Sequence, residues 1–398
     1  MGKTVVLVYS GGLDTTVCIP MMREEYGFDE VVTITVDVGQ PKDDIEDAEA
    51  KARALGTKHT TVDVKDEFAR DYCFTALKAN ADYQGYPLST SIARPLIGIK
   101  AVEEAAKLPR VDAFAHGCTG KGNDQFRLEF IFRTMMPTVP VLAPMREKNM
   151  TRTEEIEYAK KRNLPIQQSL EKIWSIDENL WGRSIEGGRL EEPNYAPPEE
   201  IFRWTQDPTK APDIPRVVAI KFDEGIPVAL DDKPYSPLAL ITEMNKIAGE
   251  NGVGRVDIME DRIIGLKVRE NYECPAAVAL IQAHKALEAL VCTQQELGFK
   301  ADADRRWGEL AYAGLWLDPF KESLEAFINQ VQKRVTGTVY LRLFKGSSQV
   351  VGRTSPWALY SESLASFDDK SFDQSEMVGM VKVHGLPSKL YYRLKNQK

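Results

Sequence analysis

The sequence predicts an α/β fold: an N-terminal doubly wound parallel sheet, a second α+β domain and a C-terminal segment. Three observations carry that expectation. Residues 3 to about 165 alternate short β-branched runs with longer amphipathic segments, the pattern of parallel strands flanked by helices. The double glycine Gly11-Gly12 stands directly between the first apolar run and the first helical segment. After Pro165 the alternation stops and hairpin signals replace it. At 398 residues the chain exceeds the length at which one core usually stops growing, so two domains are expected, at 1–168 and 169–360, with 361–398 as an appendage.

Taken in order, strands are expected near 4–9, 31–38, 58–64, 111–116 and 138–143, with helices starting near Asp14, Asp43, Lys65, Ser91 and Asn123. The helix from Asp43 should end where Gly56 supplies a C-cap. In such sheets ligands sit at the carboxyl ends of the strands. Residues 174–215, rich in Trp, Pro, Gly and Glu, read as long loops that cross between domains or frame a site. Val217–Phe222 and Ile226–Leu230 flank Asp223-Glu224-Gly225 as one hairpin; Thr338–Phe344 and Gln349–Arg353 flank Lys345-Gly346-Ser347 as another. Between them Ser236-Pro237 offers a helix start, and Pro275–Leu297 and Asp302–Leu315 read as long helices. From Ser361 the chain is polar, then closes on the aromatic and basic Lys389–Lys398, a stretch too short to fold alone and suited to packing on another subunit.

Composition narrows the function classes. Hydrophobic residues make up 43% and charged residues 28%, ordinary for a globular protein and too apolar for a disordered one. The 51 basic and 59 acidic residues leave a net charge of -8, which offers no general attraction for nucleic acid or anionic membrane, so any anionic substrate needs a local positive pocket. No signal or transmembrane pattern is present, and Cys18, Cys73, Cys118, Cys274 and Cys292 form no CxxC pair that would indicate disulfides or zinc. Cytoplasmic residence is the resulting expectation.

The strongest motif is Ser10-Gly11-Gly12-Leu13-Asp14-Thr15 between the first strand and the first helix. Adjacent glycines bring backbone N–H groups close to an anion, and the helix N-terminus adds its positive dipole end. Ser10 and Thr15 can donate hydroxyl hydrogen bonds, and Asp14 makes sense beside a polyphosphate if magnesium bridges the two. A second glycine-rich stretch, His116-Gly117-Cys118-Thr119-Gly120-Lys121-Gly122-Asn123-Asp124, again joins strand to helix. It is no Walker A loop, because Ala115 stands at the first glycine position and Gly122 replaces the Ser or Thr, which disfavours γ-phosphate transfer. Asn123 and Arg127 share a helical face with Asp124 beside them, a set suited to zwitterionic amino acids: Arg127 for a carboxylate, Asp124 for an ammonium. Cys118 lacks a partner for sulfur relay and reads as a small packed thiol; His116 reads equally as a phosphate contact or a buried imidazole.

The Ser10–Thr15 element resembles the signature of the N-type ATP pyrophosphatases, which cleave ATP to AMP and pyrophosphate. Four further blocks are similar to the argininosuccinate synthase family: the 116–127 stretch, Tyr86-Pro87-Leu88-Ser89-Thr90-Ser91-Ile92-Ala93-Arg94-Pro95, Trp174-Ser175-Ile176-Asp177-Glu178-Asn179-Leu180-Trp181 with Ser184 and Glu186, and Gly252-Val253-Gly254-Arg255 with Glu260, Tyr272-Glu273 and Pro275. Small departures are Asp37 where Asn is expected before Val38-Gly39-Gln40, and Cys118 where Ala is common.

That resemblance implies an adenine-nucleotide α-hydrolase fold and a carbon–nitrogen ligase of arginine biosynthesis that joins L-citrulline to L-aspartate with ATP and Mg2+. It places ATP at Val8, Tyr9, Ser10, Gly11, Gly12, Leu13, Asp14, Thr15, Thr16, Val36 and Gly117, and aspartate at Thr119, Asn123 and Asp124. Citrulline would meet Tyr86, Ser91, Asn123, Arg127, Ser175, Ser184, Glu260 and Tyr272. Catalysis would rest on Ser10, Asp14, Asp124 and Arg127, with no dedicated metal cluster and no residue declaring itself the base for the aspartate amine. A homotetramer is implied, with neither nucleic acid nor membrane as partner.

Overall fold

The run Thr4-Val5-Val6-Leu7-Val8 is apolar on both faces, so it must be covered on both, and it lies at the centre of a five-stranded parallel sheet. The computed structural model describes residues 2–166 and 174–397. The sheet runs Lys58–Asp63, Glu30–Asp37, Thr4–Val8, Ala113–Ala115, Val141–Leu142. Thr4–Val8 therefore has the second strand on one side and the fourth on the other, which makes its carboxyl end the switch point of the sheet. Helices Leu13–Glu24, Lys42–Ala54, Thr90–Ala105 and Asp124–Met135 connect these strands, as expected. One cluster around Val5, Leu7, Val17 and Ile19 covers one face; the larger cluster, with Val6, Phe114, Ile131 and Phe132, covers the other.

The second half is α+β. Arg216–Asp223, Ile226–Leu230, Gly337–Phe344 and Ser347–Thr354 pair antiparallel, as the two hairpin signals predict, with Lys233–Pro234 on the edge. A four-stranded sheet was not foreseen: Arg255–Asp261, Lys267–Glu273, Gly182–Glu186 and Ser175–Asn179, in that order. The last two strands overturn the reading of 174–215 as loops throughout. Asn179 Oδ1 accepts the Trp181 N–H at 2.9 Å and the Gly182 N–H at 3.3 Å, closing a tight turn that the surrounding polar residues conceal. The helices also differ in register. Pro275–Val291 ends early, and Gln294–Tyr312 begins at a capping box in which Thr293 and Glu296 satisfy each other's backbone N–H. Pro319–Gln332 is a further helix.

Residues Met1–Trp357 form one body and Ala358–Lys398 a second. The expected boundary between 168 and 169 lies outside the described residues. The second body contains Met377–Val383 and Leu386–Lys395, and in the latter Leu386, Leu390 and Leu394 recur every four residues, all exposed.

The new sheet is fixed by a buried ion pair. Arg183 and Glu273 are 1% and 0% exposed, with Arg183 Nη1 donating to Glu273 Oε2 at 2.8 Å. Glu273 also accepts the backbone N–H groups of Arg203, Trp204 and Thr205 at 3.0, 2.8 and 2.9 Å. Truncation would leave the buried guanidinium with only Glu178 and the Ile201 carbonyl, and three N–H groups without their acceptor, at a cost of about 3–5 kcal/mol. Glu273→Ala is therefore expected to lower the urea midpoint strongly with little change in slope; a midpoint equal to that of the parent would show that the pair does not anchor the sheet.

Candidate functional site

At the switch point, the loops after the first and fourth strands lie side by side. A Cβ on Gly117 would come within 3.0 Å of the Thr15 nitrogen, so only glycine lets the two loops touch. Gly11 adopts φ +74° with its α-carbon against Ala48, a conformation that turns the chain directly from strand to helix. The Leu13–Glu24 helix has no side-chain cap at Gly12, which leaves its first N–H groups to an anion. Ser10 Oγ accepts the Gly12 N–H at 3.3 Å and meets Thr15 Oγ1 at 3.2 Å, so both hydroxyls stand at the mouth of the cradle.

The cradle is one end of a cavity of about 440 Å3. Val8, Tyr9, Ser10, Gly12, Asp14, Thr15, Val36, Gly117, Thr119, Asn123, Asp124 and Arg127 line it, and so do Tyr86, Ser91, Ser175, Ser184, Glu260 and Tyr272 from the more distant blocks. Gly11, Leu13 and Thr16 of the expected set present no side chain to its lining. Gly11 is pressed against Ala48, while Leu13 and Thr16, three apart on one helical face, turn into the protein, where Leu13 joins the core and Thr16 Oγ1 meets Tyr9 Oη at 3.1 Å. The glycine motif covers them by sequence adjacency, but helical periodicity sends them inward.

Ser91 is 3% exposed, and among the described residues its hydroxyl has no hydrogen-bond partner, an orphan that a ligand in the cavity would satisfy. Ser89, not singled out from the sequence, is in the same condition on the same wall. Tyr86 and Tyr272 stack at 4.2 Å.

Charge is concentrated away from the cradle. Asp124 takes Arg94 Nε on one oxygen at 2.7 Å and Arg127 Nη1 on the other at 2.8 Å. Burial would raise its pKa, but the two guanidiniums hold the carboxyl at about 2. Arg94 also reaches Asp177. Arg262 joins Glu186 at 2.5 Å and Glu270 at 2.8 Å, and burial together with Glu270 pushes Glu186 up to about 7 in spite of that arginine. A carboxyl there can take or release a proton near neutrality. Arg94, Asp177, Arg262 and Glu270 were missed as site residues. Arg94 and Asp177 lie inside blocks already noted, and Glu270 is two residues from Tyr272 on the same strand face, so strand periodicity could have found it.

His116 is buried and braces the second loop from behind. Its Nδ1 accepts the Cys118 N–H at 3.2 Å and its Nε2 faces Glu129 at 3.3 Å, so the tautomer protonated on Nε2 satisfies both. Cys118 is half-buried and free. Among the described residues no group of three or more His, Cys, Asp or Glu side chains is arranged to hold a metal, and no helix is long and apolar enough to cross a membrane.

A parallel sheet with an uncapped glycine cradle at its switch point, opening onto paired guanidiniums and carboxylates, defines a nucleotide-binding enzyme of the α-hydrolase type. Residues 4–165 match the Arginosuccinate synthase N-terminal HUP domain, and 174–391 match the Arginosuccinate synthase C-terminal domain. The chain is similar to the argininosuccinate synthases of Methanosarcina barkeri (55% identity, 99% of both chains), Methanocaldococcus jannaschii (55%, 100% of both) and Archaeoglobus fulgidus (54%, 98% of this chain and 99% of the other). It belongs to the argininosuccinate synthase family.

Glu129 ties the second loop, through His116, to the Asp124–Met135 helix and to Arg146 beyond it. Burial opposes its ionisation, but hydrogen bonds from His116, Arg133 and Arg146 hold its carboxyl at about 2, below the ordinary 4.5. A depressed carboxylate stabilises the fold above its ordinary value, and that contribution is lost as pH falls through the folded value. Glu129→Gln should melt below the parent at neutral pH, with the gap narrowing as pH drops from about 5 to about 3; a gap independent of pH would contradict the assigned ion pairs.

Proposed function

We propose that the cavity binds ATP at the Ser10–Thr15 cradle and two amino acids along the wall formed by Arg127, Asp124 and the second-half sheet, and ligates L-citrulline to L-aspartate with release of AMP and pyrophosphate. The observation that carries this reading is the juxtaposition of the uncapped cradle with Arg127, Ser91, Glu260 and Tyr272 in one cavity. The ureido oxygen of citrulline attacks the α-phosphorus of ATP, pyrophosphate leaves, and the aspartate amine then displaces AMP. Adenylylation converts an oxygen that departs poorly into a phosphate ester that leaves readily. The protein's part is positioning and electrostatics.

The Arg127 guanidinium already donates from Nε to the Tyr312 carbonyl at 3.1 Å and from Nη1 to Asp124, so its Nη2 end is the part free to meet a substrate carboxylate. The Asp124 charge is shared between two arginines, which suits it to orienting an incoming ammonium rather than neutralising it alone. The donor set at the cradle, the Asp14 carboxylate with the Ser10 and Thr15 hydroxyls, is hard oxygen and fits Mg2+. Asp14 has the buried Glu155 beside it, whose carboxyl burial and the Asp14 charge push up to about 8, so Asp14 would be the charged ligand and the ion would be carried mainly by the phosphates, where it would neutralise the departing pyrophosphate. A cytoplasmic homotetramer is part of the same reading, supported by the apolar face of Leu386–Lys395.

The test is release of AMP and pyrophosphate from MgATP with both amino acids, compared with each alone. Equal amounts of AMP, pyrophosphate and argininosuccinate, only when both are present, are expected; ATP binding without turnover would reject the substrates while leaving the cradle intact. Asp14→Asn should fold normally and lose most turnover, and wild-type rates in that variant would remove Asp14 from the reaction. Arg127→Leu should raise the citrulline KM by about tenfold or more, the loss of one charge-assisted hydrogen bond, with little change in the ATP KM. Equal rises for both substrates would indicate a general structural defect.

A further inference from the structure

We infer that Tyr312, the last residue of the Gln294–Tyr312 helix, is a positioning residue that sets the citrulline subsite from behind its wall; the inference rests on the reading that Asn123, Arg127 and Glu260 meet citrulline. Tyr312 is 3% exposed and does not line the cavity, yet it touches all three of those residues. Its hydroxyl accepts the Asn123 Nδ2–H at 2.8 Å and lies 3.1 Å from both Glu260 Oε1 and the Asp261 carbonyl. Its own carbonyl accepts Arg127 Nε at 3.1 Å, and its ring lies 5.2 Å from the Arg127 guanidinium carbon. The ring is itself pinned by a stack on Tyr83 at 3.6 Å.

One hydroxyl proton cannot serve two acceptors fully, and the charged one is the stronger partner. Burial and the nearby Glu260 raise the phenol pKa, so the proton stays on Tyr312 and is available to Glu260 Oε1. The other Glu260 oxygen receives Tyr86 Oη at 2.7 Å, while the Tyr272 hydroxyl, 3.4 Å away, donates to Glu270 at 2.5 Å. Asn123 is held from its other end as well, since its Oδ1 accepts the Ile263 N–H at 3.0 Å. Tyr312 thus couples an amide, a guanidinium and a carboxylate, the three group types that read a zwitterion, through one rigid ring. Nothing in it reaches the phosphate cradle.

Tyr312→Phe keeps the ring, the stack and the carbonyl and removes only the hydroxyl. In the full-length protein the citrulline KM should rise about tenfold, with kcat within about threefold, the ATP KM unchanged and the melting temperature within about 3 °C of the parent. A citrulline KM within twofold of the parent, or equal rises for citrulline and ATP, would overturn the assignment. Arg127→Leu assayed alongside separates the two levels. If Arg127→Leu raises the citrulline KM and Tyr312→Phe does not, only the role of Tyr312 falls; if neither does, the citrulline reading of this wall falls and takes the Tyr312 assignment with it.

Discussion

A carboxylate that is 2% exposed needs partners in the protein, and the hydroxyls that serve Glu260 come from separate parts of the chain. Tyr86 belongs to the first half and Tyr312 to a helix end, while Tyr272 on the neighbouring strand stacks on Tyr86 and gives its own proton to Glu270. The strand that carries Glu260 is gripped at the next residue, where Tyr83 Oη donates to the Asp261 carbonyl at 2.8 Å and Gln84 exchanges two hydrogen bonds with Asp261 at 2.9 Å each. Burial and the adjacent Glu270 raise the Glu260 pKa, so the arrangement is costly and persists because so many donors converge on it. This junction is one of the points that hold the second-half sheet over the carboxyl ends of the parallel strands and so roof the cavity.

The floor of the cavity follows from topology. Because Thr4–Val8 is flanked by the second and fourth strands, the loops that leave its carboxyl end and that of Ala113–Ala115 cannot be sealed by a crossover helix, and the gap between them stays open. Gly117 then allows the two loops to approach each other, and the glycine turn at 11 and 12 leaves the helix start without a side-chain cap. The hydrogen bond from Leu180 N to Val38 O at 3.0 Å fastens the second-half hairpin to the loop after the second strand, so floor and roof meet at more than one point.

What could be read from the sequence divides along the same line. The cradle was legible because its chemistry is local: glycines, hydroxyls and carboxylate fall within six consecutive residues just after a strand, and each has a reason to be there. The parallel strands were legible because buried β-branched runs have few alternatives. The hairpin at 175–186 was not, since its residues face a polar cavity and lack the apolar alternation that marks a strand packed on a core. Arg94 and Asp177 stand 83 residues apart, and Tyr312 stands 189 residues from Asn123, so no local pattern relates them. Leu13 and Thr16 neighbour the cradle residues in sequence, but helical geometry turns their side chains toward the core.

The distribution of charge in the cavity orders the substrates of the proposed reaction. Five carboxylates, Asp124, Asp177, Glu186, Glu260 and Glu270, line the end away from the cradle, against three guanidiniums, Arg94, Arg127 and Arg262. A polyphosphate placed there would face more carboxylates than guanidiniums, an excess softened where burial raises Glu186 and Glu260, whereas at the cradle it meets backbone N–H groups, two hydroxyls, a helix N-terminus and the single charge of Asp14. Two amino acids, each carrying an ammonium, meet the opposite balance. In the proposed reaction the acidic end would therefore do more than bind: it would favour one orientation of the triphosphate, with its phosphates on the cradle and its α-phosphorus toward the amino-acid wall, before any group on the enzyme takes part in bond making.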